Sequence, residues 1–289
     1  MKNVNCPLCG SSSFKEMYDV TKPVAHAQMG LPGLVRKCNH CDLLYKSFDK
    51  DLNTLYNDDY ADGFQNMEEY SGDSARQLFS SILSESKNRI ENNGHAELLD
   101  IGSGMGTLLD TARSVGFNTT GVELSSKLAE VVQRKGHRVI NKNVDDIHDG
   151  NTYDVISMMD IMEHLENPTD ILKNLKKLLS DKGELVVYTP NHASMIVKMA
   201  HWLHALGMRS AMDNIFACTH TCFFTTKSLR KILEDTGYDI ISTRHFQYDT
   251  SRPGQKVSVI AKFAINMIET FGTIIGLHGF RMVMYARKK

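Results

Sequence analysis

The spacing of apolar positions changes along the chain, and the changes divide it. Within SGDSARQLFSSILSESKNRI, Leu78, Phe79, Ile82, Leu83 and Ile90 fall on one helical face, which predicts an amphipathic helix capped at Ser71 or Asp73. Past ENNGH the pattern becomes short continuous apolar runs that alternate with helical stretches. AELLDI, NTTGVEL, HRVIN, TYDVISMM and GELVVYTP read as strands. Residues 105–115, 125–135, 168–179 and 227–236 read as helices, the last closed by Gly237. YDIISTRHF and FRMVMYARK add two strands at the end. Strands that alternate with helices and carry no polar face predict an α/β fold with a doubly wound, mostly parallel sheet. Ligands of such sheets sit at the carboxyl ends of the strands, near the switch point.

Two segments interrupt this rhythm and are expected to shape an acceptor pocket. One, at 193–210, holds the single tryptophan, Trp202. The other, at 252–278, sets Val257, Ile260, Ala264, Met267, Ile268, Phe271 and Ile275 against a polar stripe of Lys262, Asn266, Glu269 and Thr273. That face reads as core or as a homodimer contact. A lid over an apolar acceptor or a membrane-resting surface are the sharper alternatives, the membrane being weaker because the stripe is not Lys/Arg-rich. The chain therefore divides into a small unit at 1–48, a helical linker or cover at 49–94, and a sheet domain at 95–289.

Composition narrows the partners. With 33 Lys+Arg against 34 Asp+Glu, the net charge is −1, which argues against a general polyanion binder. The opening MKNVNCPLCG lacks the apolar core of a signal peptide, and the most apolar run, 257–277, is broken by Lys262, Asn266 and Glu269. A cytoplasmic protein without a transmembrane segment is expected. Cysteines in such a compartment are seldom disulfides.

Four of the six cysteines form two C-x-x-C knuckles, Cys6/Cys9 and Cys38/Cys41, separated by 28 residues. Each knuckle turns two thiolates toward one ion, so the pair predicts a tetrahedral four-cysteine zinc ribbon at the N-terminal end. The surrounding segment has six Lys/Arg and no aromatic-basic face, so the zinc reads as structural rather than as a nucleic-acid reader.

The chemistry concentrates in LLDIGSGMGTLLDTA. Gly102, Gly104 and Gly106 lie in the first strand-to-helix turn, where missing side chains admit a ligand to the backbone. A dinucleotide site shows G-x-G-x-x-G. Here the spacing is G-S-G-M-G, and Asp100 stands two residues ahead, where a carboxylate suits a cationic ligand. Glu123, at the end of the next strand, can accept two ribose hydroxyls, a feature shared by both ligand classes.

LLDIGSGMG, GVELSS, YDVISMMDIMEHLENP and GELVVYTPN, taken in order, resemble a class I S-adenosylmethionine-dependent methyltransferase across 96–289, a Rossmann-like fold. The resemblance implies that Asp100, Gly102, Ser103, Gly104 and Gly106 surround the methionyl and sulfonium part of S-adenosyl-L-methionine. It places Glu123 on the ribose and Leu124 against the adenine, with Asn143 and Val144 at the adenine edge. Met159 and Asp160 would flank the methyl donor, and Tyr60, with Tyr56, would cover it. A four-cysteine ribbon ahead of such a domain resembles a subgroup acting on small molecules, deoxysugar C-methyltransferases among them. In those, a Tyr-His-Glu-His stretch supplies the base; FACTHTCFFTTKSL keeps His220 and the aromatic pair only. The same stretch is similar to ubiquinone-biosynthesis-type O-methyltransferases.

A methyl acceptor that carries a proton needs a base, and histidine fits. His220 and His164 are the candidates. His164 also reads as a loop-orienting residue, and His192 as a surface loop residue. Cys218 and Cys222 read as small buried hydrophobes. The implied activity is methyl transfer to a small-molecule acceptor, oxygen favoured over carbon or nitrogen. A ribbon-guided RNA methyltransferase and a catalytically silent zinc-bearing scaffold are the rivals.

Overall fold

The computed structural model of the chain describes residues 5–20, 33–47, 72–90, 96–147, 150–208, 210–216, 219–247, 259–274 and 279–289. Tyr56 and Tyr60, Cys218, and most of the 49–94 segment lie outside the described residues.

Strands β1 (Phe14–Asp19), β2 (Leu34–Cys38) and β3 (Leu44–Ser47) form an antiparallel meander at the N-terminal end. Helix α1 (Asp73–Arg89) leads into β4 (Ala96–Ile101), α2 (Thr107–Ser114), β5 (Phe117–Val122), α3 (Ser126–Arg134) and β6 (Arg138–Ile140). Next come β7 (Tyr153–Met159), α4 (Pro168–Leu178) and β8 (Leu179–Pro190), then α5 (Met195–Ala205), α6 (Ser210–Phe216) and the two-residue β9 (Cys222–Phe223). The chain closes with α7 (Thr226–Asp235), β10 (Tyr238–Phe246), α8 (Val259–Ile274) and β11 (Arg281–Lys288).

The large sheet has seven strands in the order β10-β11-β8-β7-β4-β5-β6. Six run in one direction; β11 alone enters antiparallel, between β10 and β8. The order reverses between β4 and β7, so the switch point lies where Ile101 and Met159 end their strands. This is the α/β, mostly parallel architecture that the alternation predicts.

Alternation along each strand sends its side chains to two cores. Leu99, Ile101, Ile156, Met158, Leu185 and Val187 point to one face and meet Leu172 and Leu175 of α4 and Leu229 and Ile232 of α7. Leu98, Val155, Val186 and Val283 point to the other and meet Phe79, Ile82 and Leu83 of α1 and Leu109 and Ala112 of α2. Local signals place the helices. Ser125 caps α3, Asn167 with Pro168 opens α4, and Thr225 and Ser228 form a capping box on α7.

The N-terminal meander is continuous with the rest of the molecule. β3 pairs with β9, Leu44 opposite Phe223 and Tyr45 opposite Cys222. Cys6, Leu8, Cys38 and Cys41 share one apolar cluster with α4 and α7.

Two sequence expectations need correction. In α8 the polar stripe does not face outward throughout: Glu269 is 2 % exposed, while Phe263, Met267, Phe271 and Ile274 are exposed. Glu269 turns inward because its Oε2 accepts the Phe280 amide at 3.3 Å, ahead of β11. His192 is no surface residue either; it is 7 % exposed, ringed by Phe216, Phe223 and Phe280.

Candidate active site

At the switch point the carboxyl ends of β4, β5 and β7 open into a cavity of about 530 Å³. The β4–α2 turn forms its floor. Gly102 has φ +73°, and a Cβ there would run into the Ile161 side chain. Gly106 has φ +78° and opens α2 in a left-handed conformation. Both conformations favour glycine, which explains their positions in the motif. Gly106, however, faces Val132 and does not line the cavity.

Asp100 and Glu123 are the two buried carboxylates at the glycine-turn end of the cavity. The Ser157 hydroxyl donates to Asp100 Oδ1 at 2.7 Å. Burial, opposed by that hydrogen bond and assisted by the charge of Glu123, raises the Asp100 carboxyl to about 7. Glu123 Oε2 accepts the Gly104 amide at 2.8 Å and Oε1 accepts the Ser125 amide at 2.9 Å. A third backbone contact, from Leu124, also favours the ionised carboxylate, and a carboxylate has lone-pair capacity beyond these for a ligand hydroxyl. Burial still raises the Glu123 carboxyl above its ordinary range.

Ser103, Gly104, Leu124, Asn143, Val144, Met159 and Asp160 also line the cavity. Leu124 is half-exposed at the mouth, and Asn143 caps the short turn Val144–Asp146. Sequence reasoning missed Phe79, Ile161, Leu165 and Ile171. Phe79 was visible as an apolar position of α1, but nothing in its spacing says that α1 crosses this rim.

At the other end Asp160 and His164 line the cavity, with Glu163 and His220 beside them and outside its lining. Asp160 follows β7 with φ +54°, a conformation that aspartate tolerates better than most residues, and is ion-paired with Arg281. The Arg281 guanidinium lies 5.5 Å from the Tyr188 ring. Glu163 is 1 % exposed; its Oε2 accepts the Thr189 hydroxyl at 2.8 Å, whereas its Oε1 has no partner among the described residues. His164 lines the cavity, and the His220 ring stands edge-on to it at 4.7 Å between centroids. One oxygen of Glu163 and one ring nitrogen of each histidine lie within 4.8 Å of one another. His220 itself does not line the cavity, and its Nδ1 is buried without a partner among the described residues.

Burial dominates the electrostatics here. It lowers His164 to about 4, against the pull of Asp160, and lowers His220 well below its usual value, helped by its neighbour His164. Burial, reinforced by Asp160, raises Glu163 to about 8. Near neutral pH the site therefore holds two neutral imidazoles beside a protonated carboxyl.

The four knuckle cysteines converge as expected. Sγ of Cys6 and Cys41 are 3.5 Å apart, as are those of Cys9 and Cys38, and all four lie within 4.8 Å of one another. A tetrahedral ion with bonds of about 2.3 Å sets its sulfurs roughly 3.8 Å apart, so the donor set suits zinc.

A Rossmann-like parallel sheet with a glycine turn, a buried carboxylate pair and a cavity at the switch point defines an S-adenosylmethionine-dependent class I methyltransferase. The comparisons agree. Residues 70–243 match the family model described as Methyltransferase domain, and the chain belongs to that family. Among curated proteins, the ubiquinone biosynthesis O-methyltransferase of Rickettsia canadensis is 23% identical over 170 residues, which is 56% of this chain and 70% of that protein. The mitochondrial enzyme of the same description from Schizosaccharomyces pombe is 31% identical over 102 residues, 32% of this chain and 37% of that protein. Among solved structures, the magnesium protoporphyrin IX methyltransferase of Synechocystis with bound S-adenosylmethionine has a TM-score of 0.53. At 15% identity it covers 84% of this chain and 100% of that one. A methyltransferase from Archaeoglobus fulgidus has a TM-score of 0.52 at 20% identity, covering 76% of this chain and 97% of that one. No helix among the described residues is long and apolar enough to cross a membrane.

Proposed function

We propose that this methyltransferase acts on a hydroxyl of a small molecule, with His164 as the proton acceptor. The carrying observation is that one cavity runs from the glycine turn and the buried carboxylates to His164.

The cofactor end fits S-adenosylmethionine by its own chemistry. The Ser103 hydroxyl is buried without a partner among the described residues, and the cradle at Gly102 has no room for a side chain. Asp100 would take the ammonium group, Glu123 the ribose hydroxyls, and Leu124, Asn143 and Val144 the adenine. When bound, the cofactor supplies an electrophilic methyl on a positively charged sulfur. Met159 and Asp160 then set where the acceptor approaches, since the displacement needs alignment more than covalent help. His164, neutral above about pH 4, accepts the hydroxyl proton. Its imidazolium is stabilised by Asp160 and by Glu163, which ionises more readily once a cation stands beside it. His220 packs edge-on and fixes the His164 ring plane.

Oxygen as the nucleophile draws support from the curated relatives named above, and a neutral base suits a hydroxyl. The near-balanced charge of the chain favours a small acceptor over a nucleic acid. The four-cysteine cluster would hold a structural zinc. The test is transfer of labelled methyl from S-adenosylmethionine into a metabolite extract. The expected product is a methyl ether that His164→Ala no longer forms. Label confined to RNA, or none with wild-type protein that binds the cofactor, would overturn the reading.

A further inference from the structure

Between the cysteine cluster and the paired histidines runs a continuous path of strand pairing and hydrogen bonds. It begins at β2, which carries Cys38 and pairs with β3. β3 pairs with β9, and just beyond that ladder the Lys46 amide donates to the Thr221 carbonyl at 2.8 Å. Thr221 is 5 % exposed and turns its other groups toward the turn Met162–His164. Its amide donates to the Glu163 carbonyl at 2.7 Å. Its hydroxyl reaches the Glu163 carbonyl at 2.9 Å and the Leu165 carbonyl at 2.8 Å, the residues on either side of His164. Thr221 also directly follows His220 in the chain, so one residue ties together the backbone segments that carry both histidines.

A second contact reinforces the first. Lys46 is 3 % exposed, and its Nζ donates to the Phe216 carbonyl at 2.7 Å and lies 6.0 Å from the Phe223 ring. A lysine carried by the N-terminal meander is thus buried inside the wall that bears His220. A buried ammonium that makes such a bond fixes its strand against the wall, because pulling it away strands a carbonyl and a charge.

We propose that Thr221 is a positioning residue through which β3, held by the metal-ready cysteine cluster, sets the His164–His220 pair. Metal held by the four cysteines then governs the geometry of the pair without touching it. This rests on the proposed roles of those histidines for its functional meaning, but its test reads geometry.

The experiment uses the full chain, zinc-loaded and 15N-labelled at histidine. Hydrogen exchange is followed at 34–47, 96–122, 160–166 and 219–224, with long-range ring spectra of His164 and His220. Removing zinc with a chelator is expected to speed exchange at 34–47 and, by about tenfold, at 160–166 and 219–224, the equivalent of roughly one lost hydrogen bond. The ring signals should shift, while 96–122 stays protected and S-adenosylhomocysteine still binds within about threefold. Thr221→Val should reproduce the ring shifts and the faster exchange at 160–166 with zinc in place, and Thr221→Ser should restore both. The inference is overturned if 34–47 opens while 160–166 and the ring signals keep their zinc-loaded values. It is equally overturned if 96–122 opens in step, because the coupling would then be general unfolding. Should Thr221→Val not fold, the chelation series on the wild-type chain decides alone. Failure of the wild-type chain to bind S-adenosylhomocysteine would defeat the functional reading and leave this inference to stand or fall on exchange.

Discussion

The two ends of the cavity are built differently. The glycine-turn end, where we propose the cofactor binds, is assembled from one contiguous turn and the next strand. Its main carboxylate, Glu123, has both oxygens engaged by backbone amides of the same region. The acceptor end draws on residues as far apart as Asp160, His220 and Arg281, and among the described residues it keeps orphaned polar atoms at Glu163 Oε1 and His220 Nδ1. Buried polar groups are nearly always satisfied. A site that leaves such atoms open reserves them for a partner or for proton movement; among the described residues the glycine-turn end leaves the Ser103 hydroxyl open, and the histidine end leaves two atoms open.

That contrast can be broken by substitutions that act on one end only. The largest effect is expected at the acceptor end. His164→Ala should lower methyl transfer by about 10²–10⁴-fold while changing cofactor affinity less than about threefold, which rate assays and calorimetry on the same preparations would check. Loss of cofactor binding in that variant would merge the two ends into one.

Next comes the cofactor end. Asp100→Ala removes a charge-assisted contact and should weaken S-adenosylmethionine about 100-fold. Asp100→Asn should weaken binding similarly yet slightly raise the melting temperature of the unliganded protein near pH 8, because the wild-type carboxylate is buried at a cost. An Asp100→Asn protein that binds like wild type would remove the carboxylate from the account.

A smaller effect separates the ends by pH. The Asp100 carboxyl titrates at about 7 in the folded protein, above its unfolded value, so the folded state holds the proton longer. Its contribution to stability is therefore greatest at low pH and declines as pH rises from about 4 to 7; Glu163, raised to about 8, extends the decline. His164, lowered to about 4, acts oppositely and adds stability as pH rises from about 4 to 6.5. Between pH 6.5 and 8 Asp100 and Glu163 both lower unliganded stability as pH rises, and thermal melts of Asp100→Asn should lose the Asp100 share of that decline. A cationic ligand must displace the Asp100 proton, so affinity should rise by up to about tenfold per unit below pH 7 and flatten above it. A pH-independent affinity would mean that Asp100 does not meet the cation.

The smallest expected effect lies at the mouth. Leu124 is 37% exposed, so Leu124→Ala should weaken the cofactor only several-fold. A loss as large as that of Asp100→Ala would show the adenine, not the ammonium, to be the main anchor.

The glycine-turn end of the cavity was legible in the sequence because its parts are local. Glycines two apart behind a strand, Asp100 before them and Glu123 one strand later are all set by the β–α rhythm. The strand pattern likewise carried the sheet, since a buried parallel strand must be apolar throughout. The acceptor end was only half legible. His164 and His220 were candidates by residue type, but Glu163 was not, because a carboxylate next to a histidine in a loop looks solvated. Its burial follows from Thr221 and Thr189, residues 58 and 26 positions away. His192 misled for the same reason: its aromatic surroundings come from three separate segments. In α8 the period was correct, yet Glu269 faces inward, because one backbone amide near β11 outweighed the polar pattern.

The central claim is that Asp100 and Glu123 grip a cationic nucleoside at the switch point. Calorimetric titration of S-adenosylmethionine into the wild-type chain and into Asp100→Asn and Glu123→Gln at pH 7.5 tests it directly. One site per chain is expected in the wild type, with affinities at least about tenfold weaker in each folded variant. Wild-type affinity in both variants, or no heat with the wild-type chain, would contradict it.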